Sequence, residues 1–136
     1  MTTKFYRCRT CGNVIFKITD SGVLPHCCGR EMDELIPKTK DEFFEKHVPV
    51  VAWLDDCTLQ VMVGSTEHPM SPEHYIEWIY VETKEGGFFR KLSPSLKPCV
   101  KFTCKCTPVA VYAYCNIHGL WKTDVVDAKS CESKHC

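Results

Sequence analysis

The chain has 136 residues, enough for one ordinary domain or for one such domain beside a very small one. It carries 17 basic and 17 acidic residues, so no net field favours nucleic acid or an anionic membrane surface, and no apolar run reaches the roughly 18 residues of a membrane span. Its 11 cysteines and 6 histidines, with no apolar secretory signal at the start, favour metal ligands in a reducing cytoplasm over a disulfide framework.

The first 37 residues are predicted to form a small unit held together by cysteines. Cys8 and Cys11 lie two residues apart in one turn, and the adjacent pair Cys27 and Cys28 occupies a second turn. So short a segment buries too little apolar area to fold alone, so we expect a metal ion bound by these four thiolates. Thiolates select zinc or iron, and spacing alone does not separate the two metals. The adjacent pair would distort a tetrahedron. We favour iron because of the second candidate metal site in the same chain, described below.

A polar stretch at 37–42 is predicted to link this unit to a second one that extends to residue 126. Short apolar runs separated by turn residues, with no helical period, predict a mainly β chain and an antiparallel sandwich in the second unit. The predicted strands lie at 14–18 in the first unit and at 48–53, 59–63, 75–81, 87–92, 99–102 and 109–114 in the second. Residues 127–136 are predicted to be a polar tail.

Five further candidate ligands lie at the edges of predicted strands in the second unit. They are four histidines and one cysteine, namely His47, His68, His74, Cys115 and His118. A histidine taken singly is more often a surface residue than a ligand. Loops at one end of a sandwich gather in space, however, so these five are predicted to converge on one metal ion. Imidazoles with a single thiolate suit redox-active iron better than structural zinc.

Two charged residues directly precede the first of these histidines. Four imidazoles could surround an iron ion in one plane with the thiolate beneath, which would leave one face open to an anion. Lys46 is placed by sequence to attract that anion, and Glu45 could cap the open position when the iron is oxidised. Each could instead be an ordinary exposed side chain.

Together these motifs resemble the desulfoferrodoxin family, the two-iron form of superoxide reductase. The resemblance extends from Lys4 to about Lys122. It is carried by the cysteine pattern at 8–12 and 27–29 and by the segments 45–50, 68–70, 74–79 and 114–121.

The resemblance implies a desulforedoxin-like, rubredoxin-type domain at 1–37 that binds iron through four cysteines. It also implies an immunoglobulin-like β-sandwich at 38–126 whose second iron takes four equatorial histidines and an axial cysteine. That iron would reduce superoxide to hydrogen peroxide with one electron and two protons, without releasing dioxygen. Lys46 would attract superoxide and help to deliver protons, and Glu45 would bind the ferric iron after turnover. A rubredoxin-like electron donor and a homodimer are further implications.

Two other functions stay open at the level of the residues. An electron carrier of the blue-copper type also places cysteine and histidine ligands at one end of a β-sandwich. No methionine follows His118, however, and His68 and His74 would have no role. A zinc-stabilised interaction module without catalysis would be a colourless protein.

Six cysteines lie outside both candidate ligand sets, and we expect them to be free thiols. A sharper alternative is an accessory thiol pair or a weak third metal site in the tail. These cysteines are Cys57, Cys99, Cys104, Cys106, Cys131 and Cys136.

Overall fold

The computed structural model describes residues 3–40, 46–64, 68–103 and 106–126. The secondary structure in this part of the chain is entirely β, in twelve strands. None of it is a helix that could cross a membrane. The chain divides into two compact units, Met1–Ile36 and Pro37–Cys136. The predicted fold class, mainly β, is confirmed.

The amino-terminal unit is a small sheet with a short hairpin. Its strands are β1 (Phe5–Arg7), β2 (Val14–Phe16), β3 (His26–Cys27), β4 (Arg30–Glu31) and β5 (Asp33–Glu34). The sheet has the order β2-β1-β5, and β3 pairs with β4. One buried cluster of this unit consists of Tyr6, Cys8 and Met32, with Cys27 packed against it, and Phe5 is also buried. Because two of the four side chains in that cluster are cysteines, the described part of the unit has a small apolar core.

Between residues 46 and 126, the described part of the carboxy-terminal unit forms an antiparallel sandwich of seven strands. Its strands are β6 (Pro49–Trp53), β7 (Thr58–Val63), β8 (Ile76–Thr83), β9 (Gly86–Lys91), β10 (Cys99–Thr103), β11 (Pro108–Cys115) and β12 (Gly119–Asp124). One sheet has the order β10-β7-β6 and the other the order β12-β11-β8-β9. This arrangement of three and four strands is the predicted immunoglobulin-like sandwich.

Alternation of apolar and polar residues explains which faces of the two sheets meet. Along β7, the side chains of Leu59, Val61 and Val63 are buried, whereas Gln60 and Met62 between them are not. A strand of this pattern turns every second side chain into the core. The other sheet contributes buried residues of β8 and β11 to the same cluster.

The predicted strands of the sandwich lie within two residues of the observed ones, but β12 was not predicted. Its sequence alternates poorly, because Lys122, Thr123 and Asp124 follow the buried pair Leu120 and Trp121. Pairing along β11 makes this segment a strand, so the cause is tertiary rather than local. In the amino-terminal unit, the strand expected at 14–18 is shorter and ends at Phe16.

The expectation of free thiols outside the ligand sets is only partly correct. Cys99 is free, but Cys57 and Cys106 are each disulfide-bonded. Free thiols were predicted from the reducing compartment alone. Strand pairing also decides which cysteines lie close together, and it cannot be read from their spacing in the sequence. Cys57 precedes β7 and Cys106 precedes β11. Cys104, Cys131, Cys136 and the predicted tail lie outside the described residues.

Candidate metal centres

Antiparallel pairing brings three chain segments to the same end of the sandwich. The start of β6 faces the end of β7 through the pair Pro49 and Val63. The end of β11 at Cys115 faces both the start of β12 and the start of β8. The five predicted ligands lie on these segments. His47 precedes β6, His68 and His74 flank the loop from β7 to β8, and Cys115 and His118 share the turn from β11 to β12.

These five residues form one compact cluster, here termed the five-ligand group. Their ligand atoms all lie within 4.8 Å of one another. His47 Nε2 lies 3.0 Å from His118 Nδ1, and Cys115 Sγ lies 3.8 Å from the same nitrogen. Two imidazole nitrogens that bind one metal ion at about 2.1 Å and at a right angle are about 3.0 Å apart. The spacing therefore fits a single ion.

Two imidazole nitrogens in the group point to a metal on independent grounds. His68 Nε2 and His74 Nε2 are buried and have no hydrogen-bond partner among the described residues. Buried polar atoms without partners are rare because they lose their hydration without compensation. A metal ion would satisfy both. His68 Nδ1 lies 2.7 Å from the Pro69 carbonyl oxygen. A proton donated there leaves the Nε2 lone pair for the metal.

Burial keeps two of these histidines neutral. Desolvation lowers the pKa of His68 to about 4, although its contact with the Pro69 carbonyl opposes the shift. Burial also lowers the pKa of His74, and electrostatic interaction with His118 and Lys46 acts in the same direction. Both imidazoles are thus in the unprotonated form that binds metals.

Cys115 is the most deeply buried ligand of the group, with 0% of its surface exposed. Burial raises the pKa of its thiol, and hydrogen bonds from the backbone N–H groups of His118 and Ile117 oppose that rise. The His118 N–H lies 3.4 Å from the sulfur. A metal ion replaces the thiol proton and removes the cost of an isolated buried thiolate. Hydrogen bonds from backbone N–H groups to the sulfur stabilise the thiolate form that binds a metal.

Asn116 is a supporting residue that the sequence analysis did not identify. Its side-chain oxygen accepts the N–H of Tyr75 at 2.9 Å, and its side-chain nitrogen donates to the Glu73 carbonyl at 2.9 Å. It therefore fastens the turn that holds Cys115 to the loop that holds His74. Its position between two ligands was the only signal for this role in the sequence.

Of the two charged residues expected to act beside the iron, only Lys46 is among the described residues. Lys46 is half-buried, and its positive charge is felt at His74, whose pKa it helps to lower. It thus lies close enough to act electrostatically at the five-ligand group. Glu45 lies outside the described residues.

The four cysteines of the amino-terminal unit also converge, and we term them the four-cysteine group. The sulfur atoms of Cys8, Cys11, Cys27 and Cys28 lie within 4.8 Å of one another. The distance is 3.6 Å from Cys11 Sγ to Cys27 Sγ and 3.9 Å from Cys27 Sγ to Cys28 Sγ. Thiolates bound to a tetrahedral ion at about 2.3 Å are about 3.8 Å apart. The group therefore fits one metal ion.

Backbone geometry explains how adjacent cysteines can serve the same ion. Cys28 has a φ of 54°, a left-handed conformation that is uncommon outside glycine.

The thiol pKa values in the four-cysteine group are shifted in opposite directions. The backbone N–H of Cys11 is the main cause that lowers the pKa of Cys8 to about 6. Contact with the Cys11 sulfur is the main cause that raises the pKa of Cys28 to about 12. A cation shared by the four sulfur atoms would allow Cys28 to lose its proton beside the Cys8 thiolate.

Comparison with known proteins gives a consistent result. The family model described as desulfoferrodoxin matches residues 39–124. A desulfoferrodoxin homolog of Archaeoglobus fulgidus is 43% identical over 119 residues, which cover 87% of this chain and 94% of the relative. A superoxide reductase of Pyrococcus horikoshii is 37% identical over 99 residues, which cover 60% of this chain and 86% of the relative. The crystal structure of the superoxide reductase from Treponema pallidum superimposes with a TM-score of 0.78 and 28% sequence identity. The match covers 90% of this chain and 98% of the Treponema chain.

Proposed function

Because the chain belongs to the desulfoferrodoxin family and is a superoxide reductase, we propose that superoxide is reduced at the five-ligand group. The observation that carries this assignment is the convergence of five donor atoms within 4.8 Å of one another. Two of these donors are buried nitrogens with no partner among the described residues. The chain holds two iron ions, and we assign the other to the four-cysteine group.

Iron held by the five-ligand group would supply the electron that, together with two protons, converts superoxide to hydrogen peroxide. The chain's own residues prepare that step. His68 and His74 are held neutral by burial, so they add no positive charge of their own. The N–H groups of His118 and Ile117 hold the Cys115 sulfur in place.

Lys46 attracts and orients the anion. Its charge acts on His74, so it also acts on a small anion that approaches the same ligands. As an ammonium group it can donate a proton toward reduced oxygen. We propose Glu45 as the carboxylate that binds the oxidised iron, on the basis of its place next to Lys46.

We further propose a division of labour along the chain. Residues 1–37 form the desulforedoxin-like iron domain, residues 38–126 form the catalytic sandwich, and residues 127–136 are a polar tail. The two compact units Met1–Ile36 and Pro37–Cys136 support this division. A rubredoxin-like carrier is the proposed electron donor, and the proposed assembly is a homodimer. The proposed location is the cytoplasm, whose reducing conditions keep the thiols of the four-cysteine group free to bind a metal.

Product stoichiometry tests the function. With excess reductant, we expect one hydrogen peroxide for each superoxide consumed and no dioxygen released. A dismutase would give half as much peroxide and would release dioxygen, and an electron carrier or a zinc module would not accelerate the reaction. Dioxygen release by the protein would therefore overturn the proposal. The Cys115→Ser variant is the matched control for reaction at the five-ligand group.

A further inference from the structure

Lys38 has no role in the mechanism above, yet its backbone is fastened beside the five-ligand group. β12 is an outer strand of its sheet. The Lys38 N–H donates to the Leu120 carbonyl at 2.9 Å, and the Lys122 N–H donates to the Lys38 carbonyl at 2.9 Å. These two bonds form a parallel bridge that places Lys38 opposite Trp121. The backbone position of Lys38 is thus fixed.

The side chain of Lys38 contacts one ligand directly. Its ammonium group donates to the carbonyl oxygen of His118 at 3.2 Å. The same group lies 5.0 Å from the centre of the Trp121 indole ring. A cation at this distance from a tryptophan ring is attracted to it. Lys38 therefore joins the ligand turn to the indole.

Trp121 extends this contact to a second ligand. Its ring stacks on the imidazole of His47, with 4.7 Å between the ring centres and 18° between the planes. Trp121 is 6% exposed, and its indole nitrogen has no hydrogen-bond partner among the described residues. Packing and the cation beside it hold this ring in place. The two ligands that Lys38 reaches, His47 and His118, are those whose nitrogens lie 3.0 Å apart.

We propose that Lys38 is a positioning residue of the five-ligand iron centre. It holds His47 and His118 in their mutual arrangement and adds a fixed positive charge beside them. The inference rests on the iron assignment proposed above. A nearby positive charge stabilises the less positive oxidation state of a metal, so Lys38 favours ferrous over ferric iron.

Three variants separate the two effects. Lys38→Met keeps the aliphatic stem and removes the charge, Lys38→Arg keeps the charge, and Lys40→Met removes a charge from a neighbouring exposed residue as the matched control. The first readout is the rate at which a chelator removes iron from the five-ligand group, followed by the loss of the absorption band between the Cys115 thiolate and iron. The second is the ratio of ferrous to ferric iron at an applied potential that half-reduces the parent centre.

We expect Lys38→Met to release this iron about fivefold faster, because a hydrogen bond to the ligand turn is lost. We expect its ferrous to ferric ratio to fall about threefold, because a nearby charge is lost. Lys38→Arg should restore the ratio, and Lys40→Met should match the parent in both readouts.

Equality of Lys38→Met and Lys40→Met in both readouts would overturn the inference. A Lys38→Arg variant with the same fall in ferrous iron as Lys38→Met would also overturn it, because charge would then not be the cause. A parent protein without iron at the five-ligand group would overturn the proposed function itself, which the iron content of the parent establishes before any variant is compared.

Discussion

Cys115 combines features that suit an iron ligand better than a structural thiol. It is fully buried, yet two backbone N–H groups are directed at its sulfur. Those N–H groups stabilise negative charge on sulfur, which a neutral thiol in an apolar core does not require. A buried thiolate in turn needs a cation, and the four imidazoles beside it provide the other ligands for one.

Replacement of Cys115 by serine tests this reading at the level of one atom. We expect the Cys115→Ser variant to lose the thiolate-to-iron absorption and to lose activity by more than about 100-fold, because a hydroxyl does not replace a thiolate ligand. Visible spectroscopy and superoxide consumption measure the two effects. Cys99→Ser is the control, since Cys99 is a free thiol outside the group. An active Cys115→Ser variant with an unchanged spectrum would contradict the assignment.

Lys46 is expected to act through its charge. The Lys46→Ala variant should react with superoxide about tenfold more slowly at low ionic strength, and the difference should shrink as salt screens the charge. Rapid-mixing or pulsed generation of superoxide at several salt concentrations measures this. Lys84→Ala removes the same charge from the turn between β8 and β9 and should react like the parent. Equal slowing of Lys46→Ala at all salt concentrations would exclude a steering role.

At the scale of the element, the sandwich positions the ligands because its strands end together. The five-ligand group lies at one end of the strands, so strand length and register set the distances between ligands. The core beneath is a contiguous cluster from both sheets. Its packing therefore supports the site as well as the fold.

Truncation of a core residue tests how strongly this packing contributes. Ile79 on β8 is fully buried, and we expect Ile79→Ala to lower the free energy of unfolding by about 3 kcal/mol. Val50 on β6 is 41% exposed, and Val50→Ala should cost less than about 1 kcal/mol. Denaturant unfolding of both variants with iron bound measures the difference. Equal losses would show that the assignment of Ile79 to the core is incorrect.

Sequence reasoning succeeded where the chemistry is local and failed where it depends on pairing. The convergence of the two residue groups was predicted because Cys8 and Cys11 share one turn and because each histidine of the five-ligand group lies at the edge of an apolar run. The contact of Lys38 with Trp121 could not be predicted, since β12 itself is defined by its pairing with β11. The disulfide-bonded state of Cys57 and Cys106 was missed for the same reason.

At the scale of the whole molecule, the two metal groups belong to different compact units. The amino-terminal unit has a core of very few residues, one of which is a ligand. Its fold should therefore depend on its metal, as in other small metal-stabilised domains. The sandwich has a larger core of its own and should keep its structure without the first iron.

This difference predicts the outcome of removing one iron. The Cys11→Ser variant should lose the iron of the four-cysteine group, and the amino-terminal unit should become sensitive to proteases. The reaction of the pre-reduced second iron with superoxide should stay within about twofold of the parent, because separate units respond independently. Limited proteolysis and pulsed superoxide kinetics measure both results. Loss of the superoxide reaction in this variant would show that the first iron is required for the chemistry itself.

The central claim is that the five-ligand group holds iron, and metal analysis combined with the visible spectrum of the purified protein tests it most directly. We expect one iron for each of the two ligand groups, with a thiolate-to-iron absorption that disappears in Cys115→Ser while the spectrum of the four-cysteine iron stays. A colourless protein that contains zinc, or a protein with iron in the four-cysteine group alone, would contradict the account.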